Sequence, residues 1–207
     1  GASATNFCGD LIWTNDYPGL SNDCGATGSA LVTSTAADDC GLTTTIATLT
    51  VVDTYAPIIN MAPADVLVES NGQGNFTEFS AWVNTYGGAQ ASDACSNIIW
   101  TVNNTAISDD CGATGSATVT FSVTDACGNA ISTTAVFTIE DRTAPTFQIP
   151  AHDTTIVCSV SNQQVHIQHW LDTHGGAQAY DVNGDVTWTH NYSGLSDGCG
   201  STGSATV

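Results

Sequence analysis

Two residue types in this 207-residue sequence have the chemistry and the spacing to build sites, cysteine and aspartate. The eight cysteines never form a C-x-x-C pair, the short spacing that zinc and redox motifs use. Their expected chemistry is therefore the disulfide, which points to an oxidising, extracellular compartment. Asp53 lies in "VVDTYAP", Asp93 in "SDAC" and Asp125 in "TDAC". Asp141 in "IEDRTAP" and Asp181 in "AYDVN" repeat the first two. Carboxylates gathered in loops suit calcium, which takes six to eight hard oxygens. The plainer alternative is that aspartate is a good turn residue and keeps the surface solvated. The five histidines fall between 152 and 190, and His166 with His169 at i, i+3 reads as a polar helix face rather than a metal pair. No Gly-x-Ser-x-Gly elbow, phosphate loop or HExxH is present, and the serines lack a recurrent histidine partner. No catalytic activity is expected.

Charge narrows the partners. Twenty acidic residues face a single arginine, Arg142, giving a formal net charge of −19. Nucleic acids and anionic membranes are bound through cations, so neither is an expected partner. Arg142 reads as a local counter-ion to Glu140 or Asp141. Gly, Ser, Thr or Asp interrupts every apolar run, so no membrane insertion is expected. The opening "GASATNFCGD" has neither the charged nor the apolar region of a signal peptide, and an export signal would have to precede it. The lack of lysine also rules out an internal Lys–Asn cross-link.

The elements that must position these residues recur. "CGATGSA" begins at Cys24 and Cys111, "CGSTGSA" at Cys199, "WT" at Trp13, Trp100 and Trp188, and "GGAQA" at Gly87 and Gly175. The period is 87 to 88 residues. It divides the chain into the last part of one repeat (1–56), a complete repeat (57–144) and the first part of a third (145–207). "SATVTFSVTDACGN" alternates Ala117, Val119, Phe121 and Val123 with Thr and Ser, and "STTAVFTIED" follows as its hairpin partner. "NIIWTV" is a further strand, while Phe79, Trp82 and Val83 fall at helical spacing ahead of Gly87. The expected fold is all-β, with tandem immunoglobulin-like β-sandwich repeats of 87 to 88 residues and one short helix in each. Trp100 and its copies are expected between sheets, and Trp82 and Trp170 between helix and sandwich.

The openings at Asp53–Asp65 and Asp141–Asp153, the "TDACGN" turn, "GGAQASDAC" and "CGATGSATVTF" together resemble hyalin-type (HYR-like) repeats. They closely resemble the four-cysteine form found in giant surface adhesins of bacteria. The resemblance covers the whole chain and implies immunoglobulin-like stalk or adhesion segments on a cell surface. Its partners would be the neighbouring repeats of the same chain, with other surface fibres or glycans as further candidates. Two positions depart from the family pattern, Ser70 standing at the first cysteine of the second copy and Asn183 at the second cysteine of the third.

Strand length argues the cysteine pairing. An extended strand from Ser116 to Thr124 spans roughly 30 Å at about 3.3 Å per residue, whereas bridged Cα atoms lie within about 7 Å. Cys111 and Cys127 should then sit at opposite ends. Along an immunoglobulin-like path the "SDAC" and "TDAC" loops share one end, so Cys95 is expected to pair with Cys127, Cys8 with Cys40, and Cys158 with Cys199. Cys111 is left unpaired and Cys24 is left to a partner before Gly1. The same end gathers Asp53, Asp93 and Asp125 at one joint between repeats, with Asp141 and Asp181 at the next, and calcium is the cofactor expected there.

Overall fold

The computed structural model describes residues 1–5, 8–104, 106–108, 110–158, 162–196, 198–199 and 202–207. Among these the protein is mostly β-sheet. The strands are β1 (Ile12–Asn15), β2 (Gly28–Asp38), β3 (Gly41–Val51), β4 (Ile58–Met61), β5 (Val66–Glu69), β6 (Gln90–Ser92), β7 (Ile98–Asn104), β8 (Gly115–Asp125), β9 (Ala130–Glu140), β10 (Thr146–Ile149) and β11 (Gln178–Tyr180). Helices α1 (Phe76–Asn84) and α2 (Gln163–Asp172) are each followed by a 3₁₀ turn, Tyr86–Gly88 and His174–Gly176.

The sheets have the orders β1-β2-β3, β4-β6, β5-β9-β8-β7 and β10-β11. β2 and β3 form a hairpin in unbroken register from Gly28↔Val51 to Asp38↔Gly41. β7 pairs antiparallel with β8, and β5 pairs parallel with β9. The β4–β6 pair has a bulge between Ile59 and Met61, and the β10–β11 pair has one between Phe147 and Ile149, 88 positions on.

The chain falls into two compact units, neither of them a continuous tract of sequence. The first comprises Gly1–Asp65, Glu78–Thr105 and Thr118–Val136; the second comprises Val66–Thr77, Ala106–Ala117 and Phe137–Val207. In the first unit the period-two pattern of β8 buries Val119, Phe121 and Val123 completely. Trp82 of α1 sets its ring edge-on to Phe121, centroids 5.6 Å apart, and donates its indole N–H to the Ala64 carbonyl at 3.1 Å. In the second unit Phe137 and Ile139 are buried on β9, and Ile167 and Leu171 are buried on α2.

The repeated tryptophans lie differently from the sequence expectation. Trp100 is half-buried and stacked on Tyr86, centroids 4.9 Å apart and planes 14° from parallel. Trp188 stacks in the same way on His174, at 4.2 Å. Trp13 is 43% exposed. The reason is local. Tyr86 and His174 take left-handed backbone (φ 54° and 56°) where the helix ends, and this turns their rings onto the tryptophans.

Core weight therefore falls on Phe121 rather than Trp100. Phe121→Ala should cost about 3 to 5 kcal/mol, as deletion of a buried aromatic does, and Trp100→Ala should cost clearly less. Urea unfolding followed by tryptophan fluorescence and far-UV circular dichroism measures both. Equal losses would put Trp100 back in the core.

Candidate metal centre

Asp53 follows β3, Asp93 follows β6, and Asp125 ends β8. Three elements of the first unit thus bring together a ligand oxygen from each, all within 4.8 Å of one another. One oxygen of each carboxylate is engaged locally. Asp53 Oδ1 accepts the Tyr55 amide at 3.1 Å, Asp93 Oδ1 the amides of Cys95 and Ser96 at 2.9 and 2.8 Å, and Asp125 Oδ1 those of Cys127 and Asn129 at 2.9 and 2.8 Å. The Asn129 side chain ties two strand ends together, donating to Asp125 Oδ2 at 2.8 Å and to the Asp53 carbonyl at 3.3 Å. Asp53 Oδ2 is buried and accepts no hydrogen bond among the described residues. Hard, anionic oxygens with one buried lone-pair set unpartnered suit a cation such as calcium or magnesium better than a soft metal.

Burial pushes the Asp125 carboxyl up, but hydrogen bonds from the Asn129 side chain and from the amides of Asn129, Cys127 and Gly128 outweigh it. The net effect is below the ordinary value of 3.8. Cys95 moves the other way, raised first by burial and then by the charges of Asp53, Asp93 and Asp125.

Cys95 and Cys127 follow two of these aspartates, and the bridges correct the expected pairing. Cys8 is bridged to Cys40, Cα atoms 6.0 Å apart. Cys127 is bridged to Cys24 rather than Cys95, across a sequence separation of 103 and a Cα distance of 5.2 Å. Cys95 keeps its thiol. Cys24 thus needs no partner before Gly1. Gly25 makes this possible, with φ +60° and a backbone so close to the Cys95 carbonyl that a Cβ would run into it. Ala26 donates its amide to that same carbonyl at 2.8 Å. Gly112 meets the Asn183 carbonyl in the same fashion, 87 and 88 positions on. The bridge to Cys24 and the glycine contact are what sequence reasoning missed. The signal was the glycine that follows cysteine in each "CG-x-TG" loop.

The Cys158–Cys199 bridge is not formed, because Cys199 stays an exposed thiol. The loops of Cys24 and Cys111 run directly into β2 and β8, whereas no strand follows the Cys199 loop among the described residues. Asp141 and Asp181 each accept an amide two residues on, from Thr143 at 3.0 Å and Asn183 at 2.8 Å. Neither joins a group of three potential ligands among the described residues. Ser70, aligned with Cys158, donates its hydroxyl to Asn183 Oδ1, with both residues buried. Asn6, the residue aligned with Asp93, lies outside the described residues.

Arg142 pairs with Glu140 through Nε and Nη2, at 3.0 and 2.9 Å, as a largely exposed ion pair. His166 and His169 enter no cluster of three ligands among the described residues. No helix among those residues is long and apolar enough to cross a membrane. The sequence matches no protein-family model, and a search of curated proteins finds no relative.

Asp125 gives the site a pH signature. Its folded value lies below the unfolded 3.8, so its stabilisation is complete above that pH and is lost as pH falls through the folded value. In chelator, melting temperature should drop below about pH 4 in the parent chain, and Asp125→Asn should flatten that limb while leaving the neutral region less affected. A melting series from pH 2 to 7 measures it. An unchanged acid limb would remove Asp125 from the linkage.

Proposed function

We propose that this chain is a structural segment of an extracellular bacterial surface fibre or adhesin stalk, built of tandem HYR-like, immunoglobulin-like repeats. The Cys24–Cys127 bridge carries the reading. It ties the first sequence copy to the second, beside three carboxylates drawn from a segment between copies and from two loops of the second. A protein whose task is to keep repeats in line under tension needs links of this kind. Calcium at Asp53, Asp93 and Asp125 would add charge neutralisation at the same place, and Asp141 with Asp181 would begin an equivalent site at the next joint. The long hydrogen-bonded hairpins resist extension, and the acidic surface keeps the fibre solvated. Nothing in this task calls for catalysis, and the neighbouring repeats are the principal partners.

A concavity in the second unit supports a second reading, a carbohydrate- or ligand-binding module. It measures about 380 Å³ and is lined by Trp170, His174, Trp188, His190 and Asn191. Half-exposed aromatic planes of this kind can stack on sugar rings. Glycan-array binding that is lost in Trp188→Ala would favour this reading over the stalk.

Calcium decides the joint. An ion that binds only the folded site stabilises by about 2.7 kcal/mol at a hundredfold excess over its dissociation constant, which raises melting by roughly 5 to 10 °C for a chain of this size. The 207-residue chain should melt higher in calcium than in chelator, with slower amide exchange at 93–97 and 125–129. Asp53→Asn should erase both differences, since its buried oxygen has no other partner among the described residues. Identical melting and exchange in the two buffers would leave the carboxylates as turn residues only.

A further inference from the structure

Cys127 is bridged to Cys24, whereas its counterpart in the first copy is bridged to the counterpart of Cys95. In the first copy the positions of Cys95 and Cys127 are occupied by Cys8 and Cys40, and these are bridged, with Cα atoms 6.0 Å apart. The fold thus brings that pair of positions to bonding distance. In the second copy Cys127 is bridged to Cys24 instead, and Cys95 remains a thiol. Cys95 is held beside the bridge from both sides. Its carbonyl accepts the amide of Ala26, two residues past Cys24, at 2.8 Å. The hydroxyl of the adjacent Ser96 accepts the amide of Ala126, immediately before Cys127, at 3.0 Å. Thr27, 4% exposed, places its hydroxyl oxygen 3.1 Å from Cys24 Sγ and 3.9 Å from Cys127 Sγ, where it can receive the S–H of a released Cys24.

We infer that Cys24, Cys95 and Cys127 form a thiol–disulfide exchange site in which Cys127 passes between Cys24 and Cys95. In the forward step Cys95 gives its proton to water and its thiolate sulfur attacks Sγ of Cys127. The Cys95–Cys127 bond forms as the Cys24–Cys127 bond breaks. The broken bond's electron pair leaves on Cys24 Sγ, which takes a proton from solvent. The net redox state is unchanged, so no oxidant or reductant is consumed. A link across 103 residues becomes one across 32, the separation already seen between Cys8 and Cys40. The exchange converts a staple between sequence copies into a bridge within one copy, and reverses without loss of a disulfide. It is argued from the cysteine geometry and stands whether or not the chain serves as a stalk.

Differential alkylation tests it. The 207-residue chain, purified without reductant, is held at neutral pH for 24 hours in the absence of added thiol, acid-quenched, alkylated and digested with pepsin, and its bridged peptides are quantified by mass spectrometry. Both Cys24–Cys127 and Cys95–Cys127 peptides should be found, with label divided between Cys95 and Cys24 in a ratio unchanged by tenfold dilution. Cys95→Ser should abolish labelling of Cys24, and Cys24→Ser should yield the Cys95–Cys127 bridge. The Cys8–Cys40 peptide, retained in every variant, reports that the protein has folded. Absence of label on Cys24 in the parent chain would overturn the proposal, as would free Cys95 and Cys127 in Cys24→Ser. A ratio that changes with protein concentration would also overturn it, by assigning the exchange to contacts between chains.

Discussion

One short interaction recurs through this molecule, an aspartate oxygen holding the backbone amide two residues further on. Asp38 does this for Cys40, Asp53 for Tyr55, Asp93 for Cys95, Asp125 for Cys127, Asp141 for Thr143 and Asp181 for Asn183, at 2.8 to 3.1 Å. Such a turn closes without help from a sheet ladder, because the side chain substitutes for the missing carbonyl. Each one leaves a second carboxylate oxygen to face elsewhere, and those of Asp38, Asp93 and Asp125 set a cysteine two residues on. Asp93 and Asp125 thereby tie two carboxylates of the trio to Cys95 and Cys127. Three negative charges within 4.8 Å follow from three such turns meeting. The chain's only arginine is committed to Glu140, so charge balance at the trio has to come from solvent or a bound cation.

The local fold was legible because the sequence repeats its punctuation and its strands alternate cleanly. Ala117, Val119, Phe121 and Val123 all point inward from β8, as their spacing requires. The helix with Trp82 on its inner face was also readable, and so was the meeting of Asp53, Asp93 and Asp125. Tryptophan placement was not. A tryptophan in a strand reads as core, but Trp100 and Trp188 are covered by a ring from a left-handed residue after the helix, and no periodicity announces that conformation.

The pairing of Cys127 escaped sequence reasoning for a different reason. Strand length argued against a Cys111–Cys127 bridge, and Cys127 is bridged elsewhere, yet that reasoning treated each copy as a closed set of partners. The competing partner comes from the preceding copy, because Gly25 lets the Cys24 loop lie against the Cys95 carbonyl. Any residue with a Cβ would hold that loop away. The matching contact of Gly112 with Asn183 indicates that this packing is a property of the loop, present even where cysteine has given way to Ser70 and Asn183.

The two hairpins then show why cross-links and core trade places along the chain. β8 buries Phe121 and Val123, whereas the same positions of β2 hold Ser34 and Ala36, and every residue of β3 is exposed. Burying a phenylalanine or valine side chain is worth about 1.5 to 3 kcal/mol each, and the first hairpin forgoes that contribution. Both bridges of the structure attach to it, Cys8–Cys40 at its turn and Cys24–Cys127 at the loop that leads into it. A bridge closing about 100 residues supplies roughly 4.7 kcal/mol in the chain-entropy account, comparable to the two missing side chains. The copy with the weaker apolar face is thus the one held covalently, and release of Cys24 would be felt there first.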